Sequence, residues 1–338
     1  MRTFPETLAL FNQALVALPL DRQPAGLYAP VKYVLSLGGK RIRPVLMLMA
    51  YDLYRDDAHR ILSAALGLEM YHNYTLLHDD VMDKADMRRG KPTVHKVWNE
   101  NTAILSGDAM LVLAYQLIGQ TAPEHLKDVL DLFTETALEI GEGQQYDMDF
   151  ERRMDVSEAE YIEMIRLKTS VLLACALKMG ALQAGAPAAD ADLLYRFGEN
   201  LGLAFQLQDD LLDVYGDPKT FGKNIGGDIL EGKKTFMLIN ALRLATPAQR
   251  AELERWLVTQ VDADGIGADG CTPKGHRAAE KIAAVTALYN QIGIRQLAET
   301  KIEEYFAAAF ACLDAVALPA DRRQPLRDFA LSLFGRQS

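Results

Sequence analysis

Cysteine is scarce. The three present, Cys175, Cys271 and Cys312, are too far apart to form a zinc spacing or a disulfide framework. Cys175 and Cys312 fall in apolar runs of helical period and read as small core residues, a usage that fits a reducing cytoplasm. Strand-like alternation is also rare, and aromatics make up only 8% of a chain rich in Ala and Leu, a balance that suits packed helices better than sheets. No uncharged apolar run approaches the length that crosses a bilayer. The N-terminal residues, Met1 to Glu6, lack the basic stretch and apolar block of a leader; Thr3 and Glu6 read as a capping box that opens a helix. Positive charge is not in excess either. A net charge of −10 argues against nucleic acid or an anionic membrane surface as a whole-surface partner. An anionic substrate would have to be met by a local cluster of cations or by metal.

Apolar residues make up 49% of the 338, enough for a sizeable core, and nearly every apolar segment repeats every three to four residues. Start and stop signals agree with that period. Pro44 follows Arg43 at a helix start, Ser157 with Glu160 forms a second capping box, and Thr246-Pro247 with Gln249 gives a cap and a proline at the first helical position. Gly38-Gly39 and Gly216-Asp217-Pro218 are stops. The expected fold is all-α, a single domain over residues 1–338. The stretch 262–270 reads as a surface loop whose acidic residues are misplaced for calcium, and helical periodicity resumes after it unchanged.

Two segments repeat one pattern. Asp79-Asp80-Val81-Met82-Asp83 follows the apolar run from Ile61 to Leu77, and Asp209-Asp210-Leu211-Leu212-Asp213 follows that from Leu193 to Leu207. The outer carboxylates of each are four apart and share a helix face. A lone acidic helix end is ordinarily a solvated one. Here each triplet sits where the helix dipole disfavours negative charge, by roughly 0.3–1 kcal/mol per charge, and its carboxylates also repel one another. A divalent cation bound through oxygen removes both costs.

Basic residues follow in turns beside helices. Gly38-Gly39-Lys40-Arg41-Ile42-Arg43-Pro44 offers backbone and cations to an anion, but it is no P-loop: the earlier glycine is missing and Arg41 follows the lysine. Arg88-Arg89-Gly90-Lys91-Pro92 comes just after the first triplet; Lys223 and the pair Lys233-Lys234 come after the second. Any one of these could be a solvated turn. The repeated order, carboxylates and then cations, is what a metal–diphosphate complex needs. Lys168-Thr169 lies mid-helix in an apolar stretch, where a buried lysine would need an anionic partner and a snorkelling one would not. His72 falls on the face of Asp79 and Asp83, although a helical histidine is often structural.

Taken together, Gly39-Lys40-Arg41-Ile42-Arg43-Pro44, His78-Asp79-Asp80 with Asp83, Arg88 to Pro92, Lys168-Thr169, Phe205-Gln206, the second triplet and Gly222-Lys223 resemble the trans-isoprenyl diphosphate synthase (polyprenyl synthetase) family. The resemblance implies a helical bundle of the isoprenoid synthase type around a central active-site cavity. It implies a magnesium-dependent prenyltransferase that condenses isopentenyl diphosphate with allylic diphosphates. A cluster of three magnesium ions is expected on Asp79, Asp83 and Asp209, with Asp80 and Asp213 in support. Arg88, Lys168, Lys223 and Lys233 would contact the allylic diphosphate, with Lys234 the alternative to Lys233. Lys40, Arg43, His72 and Arg89 would hold isopentenyl diphosphate, while Thr169 and Gln206 would stabilise positive charge beside the allylic carbon. A homodimer is implied as well.

In this family, bulk before the first triplet limits product length. Tyr74 stands five positions before Asp79, Thr75 four and Tyr71 eight, a pattern resembling synthases of the C20 product, geranylgeranyl diphosphate, with C15, farnesyl diphosphate, as the alternative. On a straight helix, however, Tyr74 points away from the Asp79–Asp83 face and Thr75 along it. Two other readings compete. A class I terpene cyclase carries a different second metal motif and would have no use for the Lys40/Arg43 cluster. A non-catalytic helical partner subunit would be expected to have lost a triplet or a basic cluster.

Overall fold

The structure is a computed structural model that describes residues 2–216, 225–259 and 276–334. Among the described residues it is all-α, apart from one small hairpin. The elements are α1 (Phe4–Val16), α2 (Ala25–Ser36), α3 (Ile42–Asp52), α4 (Leu62–Met82), β1 (Met87–Arg88), β2 (Lys91–Pro92), α5 (Val94–Val97), α6 (Glu100–Ile118), α7 (Pro123–Phe150), α8 (Glu158–Ile165), a π-helical turn (Arg166–Ser170), α9 (Val171–Gln183), α10 (Ala188–Tyr215), α11 (Gly227–Glu231), α12 (Phe236–Leu244), α13 (Pro247–Leu257), α14 (His276–Ile292), α15 (Ile294–Ala315) and α16 (Ala320–Phe334).

The expected caps form. The Glu6 carboxylate accepts from both the N–H and the hydroxyl of Thr3 at 2.8 Å. Glu160 accepts from the Ser157 N–H at 2.8 Å, and Gln249 from that of Thr246 at 3.0 Å. Each satisfies a backbone donor that a helix start would otherwise leave open. The two apolar runs become α4 and α10, and both triplets lie at C-terminal ends, with Asp83 as the C-cap of α4.

Close packing divides the chain into two compact units. The first comprises Met1–Glu135, Leu172–Tyr195 and Asp314–Phe329. Its core is built on the α3 run Val45 to Ala50, which is wholly buried, and on α4, which packs against α3 and α6. Two glycines let α4 and α6 approach: a Cβ on Gly67 would lie 2.8 Å from the Ala114 carbonyl oxygen, and one on Gly107 would lie 2.2 Å from the His78 ring. The second unit comprises Thr136–Val171, Arg196–Leu313 and Ala330–Ser338. Here Tyr161, Leu207, Leu211, Phe236, Leu253 and Tyr289 contribute to one apolar cluster under α8, α12 and α14.

Two expectations, on Cys312 and on the stretch around Lys168, need correction. The reading that no uncharged apolar run reaches bilayer length stands, although α6 is by length and composition apolar enough to cross one, because a single Asp108 breaks its run without much lowering its average. In this structure α6 packs against α2, α4 and α5. Cys175 is fully buried as expected, but Cys312 is only half-buried. The stretch around Lys168 is not a regular helix. The loop 262–270 and Lys223 lie outside the described residues.

Candidate active site

In the first unit, Asp79 and Asp83 are joined through the last turn of α4, the Asp83 N–H donating to the Asp79 carbonyl at 2.9 Å. Asp80 is buried, and Arg88 Nε binds its Oδ1 at 2.7 Å while Nη2 stands 3.8 Å from Asp79 Oδ2. Burial raises the pKa of Asp80 and the Arg88 charge opposes that rise. Arg88 is delivered by the β1–β2 hairpin, whose central residues Arg89 and Gly90 have φ of 54° and 73°. Two positive φ values are what the tightest hairpin turns require.

Beyond that turn, Arg89 reaches across to donate to the Gly38 carbonyl oxygen. Its guanidinium occupies the space over Gly39, where a Cβ would stand 2.8 Å from it. Lys40 is exposed. Arg43 Nη1 lies 3.1 Å from His72 Nε2. A guanidinium can only donate, so Nε2 accepts and the imidazole proton sits on Nδ1. Burial, together with Arg43, Arg89, Arg88 and Arg41, holds His72 well below its usual pKa, and hence neutral. Burial likewise brings Arg43 down to about 10, against the pull of Glu69.

The Tyr74 ring packs edge-on against His78 at 4.8 Å and lies 5.5 Å from the ring of Tyr71. Tyr71 is buried against Phe133 at 5.1 Å, and Phe133 meets Tyr115 at 5.0 Å. Tyr71, Tyr74 and His78 therefore form a stripe along α4, one residue round from Asp79 and Asp83. The Thr75 hydroxyl donates back to the His72 carbonyl at 2.8 Å, so it belongs to its own helix.

In the second unit, Lys168 and Thr169 lie in the π turn between α8 and α9, where the helix widens by one residue per turn. Glycines pack close on both sides: a Cβ on Gly143 of α7 would lie 2.4 Å from the Lys168 nitrogen, and one on Gly202 of α10 2.7 Å from the Ser170 Cα. Lys168 Nζ binds Asp147 at 2.6 Å, which is the anionic partner a part-buried lysine requires. Thr169 donates to Gln206 Oε1 at 3.3 Å, and Gln206 Nε2 to Asp210 Oδ1 at 3.2 Å. Tyr161 donates to the other oxygen of Asp210, whose pKa burial pushes up to about 7. Asp213 Oδ2 accepts from the Asp228 N–H at 3.1 Å. Removal from water works against the charge of Lys233, but Asp228, Asp147, Asp210 and Glu231 together raise its pKa. Lys234 instead donates to the carbonyls of Gly232 and Glu151.

Among the described residues no three acidic, histidine or cysteine side chains converge as a ready metal cage. Magnesium does not need one. It takes hard oxygen donors and keeps waters and substrate phosphate oxygens in its shell, a demand that one or two carboxylates per ion meet.

The sequence pattern of the polyprenyl synthetase family matches residues 24–266. The chain belongs to the polyprenyl synthetase family. Within it, the chain is 42% identical over 226 residues to the geranylgeranyl diphosphate synthase of Methanosarcina mazei, covering 66% of this chain and 69% of that one. It is 37% identical over 254 residues to a geranylfarnesyl diphosphate synthase of Natronomonas pharaonis, covering 70% and 74%. A crystal structure of a geranylgeranyl pyrophosphate synthase superposes over 100% of both chains with a TM-score of 0.91 and 43% identity.

Three residues, Glu69 in the first unit and Asp147 and Tyr161 in the second, escaped sequence reasoning, and a fourth, Asp210, was seen without its contacts. Asp147 stands in an ordinary acidic helix, and only the demand of Lys168 for a counter-charge pointed to a residue of its kind. Glu69 and Tyr161 are single residues in apolar runs, with no spacing to mark them. Asp210 was visible as the middle member of its triplet, but its contacts to Tyr161 and Gln206 depend on α8 lying beside α10.

Proposed function

We propose that this chain is a magnesium-dependent prenyltransferase that joins isopentenyl diphosphate head to tail to allylic diphosphates, ending at geranylgeranyl diphosphate. One observation carries the reading. Each unit ends a long helix in a carboxylate triplet and sets diphosphate-seeking cations beside acidic groups, with Arg88 on Asp80 in the first and Lys168 on Asp147 in the second.

Asp79, Asp83 and Asp209 are the residues that would hold magnesium, with Asp80 and Asp213 bracing them. The metal, when bound, supplies charge neutralisation for the leaving diphosphate. Arg88, Lys168, Lys223 and Lys233 bind that same diphosphate; Lys233 is preferred over Lys234 because carboxylates surround it. Lys40, Arg43 and Arg89 bind isopentenyl diphosphate, and the neutral His72 adds its Nδ1–H as a donor. The allylic carbon–oxygen bond breaks with its electron pair leaving on diphosphate. The Thr169 hydroxyl oxygen and the Gln206 carbonyl oxygen stabilise the resulting cation. The isopentenyl double bond then forms the new carbon–carbon bond, and the proton lost from the adjacent carbon goes to the departed diphosphate. Apolar walls exclude water, which would otherwise quench the cation.

Tyr74 and Tyr71 cap the growing chain at C20. Farnesyl diphosphate is the second reading, favoured by the contact of Tyr71 with Tyr74, which sets two aromatic rings side by side before the first triplet. Residues 1–338 act as one catalytic domain in the cytoplasm. The exposed Ile104, Leu105 and Val112 on α6 support a homodimer, since an apolar stripe on a helix surface is best covered by a second copy.

Mass analysis of the products formed from isopentenyl diphosphate and dimethylallyl diphosphate tests the reading. It predicts accumulation of C20. A C15 end product selects the second reading, and no prenyl product at all contradicts both.

A further inference from the structure

Arg41 is buried where the preceding cation, Lys40, is not. Lys40 is exposed, whereas the Arg41 side chain is 5% exposed and pairs with Glu69, itself 2% exposed, at 2.6 Å. Its other nitrogen donates to the Leu35 carbonyl at the end of α2, also at 2.6 Å. The Arg41 backbone is left-handed, with φ of 49°, and caps the start of α3. A side chain rarely adopts that conformation unless its surroundings impose it. Glu69 is held in turn by Asn73, one turn along α4, whose Nδ2 donates to the Glu69 carbonyl at 2.8 Å and to Oε1 at 2.9 Å. Glu69, His72 and Asn73 are spaced three and four apart, so one face of α4 presents both the buried anion and the imidazole that meets Arg43.

Burying an ion pair seldom adds net stability, because desolvating two charges offsets their attraction. Such a pair is therefore better explained by what it holds in place. Here it holds the turn that presents Lys40 and Arg43, and the Glu69 carboxylate opposes the loss of charge that burial imposes on Arg43.

We propose that Glu69 and Arg41 are positioning residues for isopentenyl diphosphate: the pair locks the 38–43 turn so that Lys40, Arg43 and Arg89 converge on one diphosphate. The proposal rests on the assignment of those cations to isopentenyl diphosphate. Neither Glu69 nor Arg41 touches substrate, so the effect of losing them falls on binding of that substrate alone.

The test measures melting temperature, kcat and both KM values. Wild-type enzyme is assayed first; if it releases no pyrophosphate that depends on isopentenyl diphosphate, the proposed function fails, independently of the pair. The double variant R41M/E69L replaces the pair with apolar side chains of similar size. R41K keeps the charge but loses the fork that spans Glu69 and Leu35. For both, the proposal predicts a KM for isopentenyl diphosphate raised by about tenfold or more, with the allylic KM and kcat within about threefold of wild type. The melting temperature of the double variant should stay near that of wild type. If it does not fold, R41K decides alone. An unchanged KM for isopentenyl diphosphate, or a rise in both KM values that tracks lost stability, overturns the proposal.

Discussion

Tyr74 sits in a stripe with Tyr71 and His78, backed by Phe133, and not on the carboxylate face one residue round the helix. This arrangement agrees with the helix arithmetic that separated Tyr74 from Asp79, and it sets the proposed length-limiting stripe apart from the face proposed to meet metal. Replacing Tyr74 with Ala removes a half-buried ring from the stripe and leaves the buried Tyr71 in place. Product analysis of Tyr74→Ala should therefore show an end product longer by at least one five-carbon unit; an unaltered length would mean that the ring does not line the path. For the carboxylates, Asp79→Ala or Asp209→Ala should lower turnover by about three orders of magnitude or more, with unchanged helicity by circular dichroism. Near-normal turnover would contradict their assignment. These residues were legible because the chemistry repeats in sequence. Glu69, Tyr161 and Asp147 were not, because each owes its role to a partner between 21 and 49 positions away.

At the scale of elements, most of the architecture followed from local rules. Apolar period set α4 and α10, and side-chain caps fixed the starts of α1, α8 and α13. The π turn at Arg166–Ser170 did not follow, because Leu167, Lys168 and Thr169 are all compatible with an α-helix. The turn is shaped by Gly143 and Gly202 pressing on its two sides, a contact that no local pattern encodes. Gly143→Ala puts a methyl group 2.4 Å from the Lys168 nitrogen, so the turn must shift. Such overpacking costs about 1–3 kcal/mol. The measurable outcome is a lower melting temperature together with a fall in kcat of about tenfold or more, as Lys168 and Thr169 move with the turn. A variant less stable yet fully active would show that the turn's position is not critical to the chemistry.

For the whole molecule, composition placed the chain among helical proteins and its negative charge restricted anion binding to local clusters. The homodimer is implied by the resemblance and proposed on the exposed apolar residues of α6. Ile104, Leu105 and Val112 are 44%, 60% and 68% exposed. Placing a charge in that stripe, as in Val112→Asp, should convert a dimer into a monomer by light scattering without unfolding it. A dimer that persists would locate the interface elsewhere.

Chemically, this chain is expected to ionise one diphosphate and add another substrate's double bond to the resulting cation. Pyrophosphate release, measured while one component at a time is withheld, addresses it directly. Release is expected only when protein, magnesium, isopentenyl diphosphate and an allylic diphosphate are all present, and it should be lost on chelation. Release without isopentenyl diphosphate would instead indicate a cyclase, and no release in the complete mixture would indicate a non-catalytic subunit; either result would contradict the account.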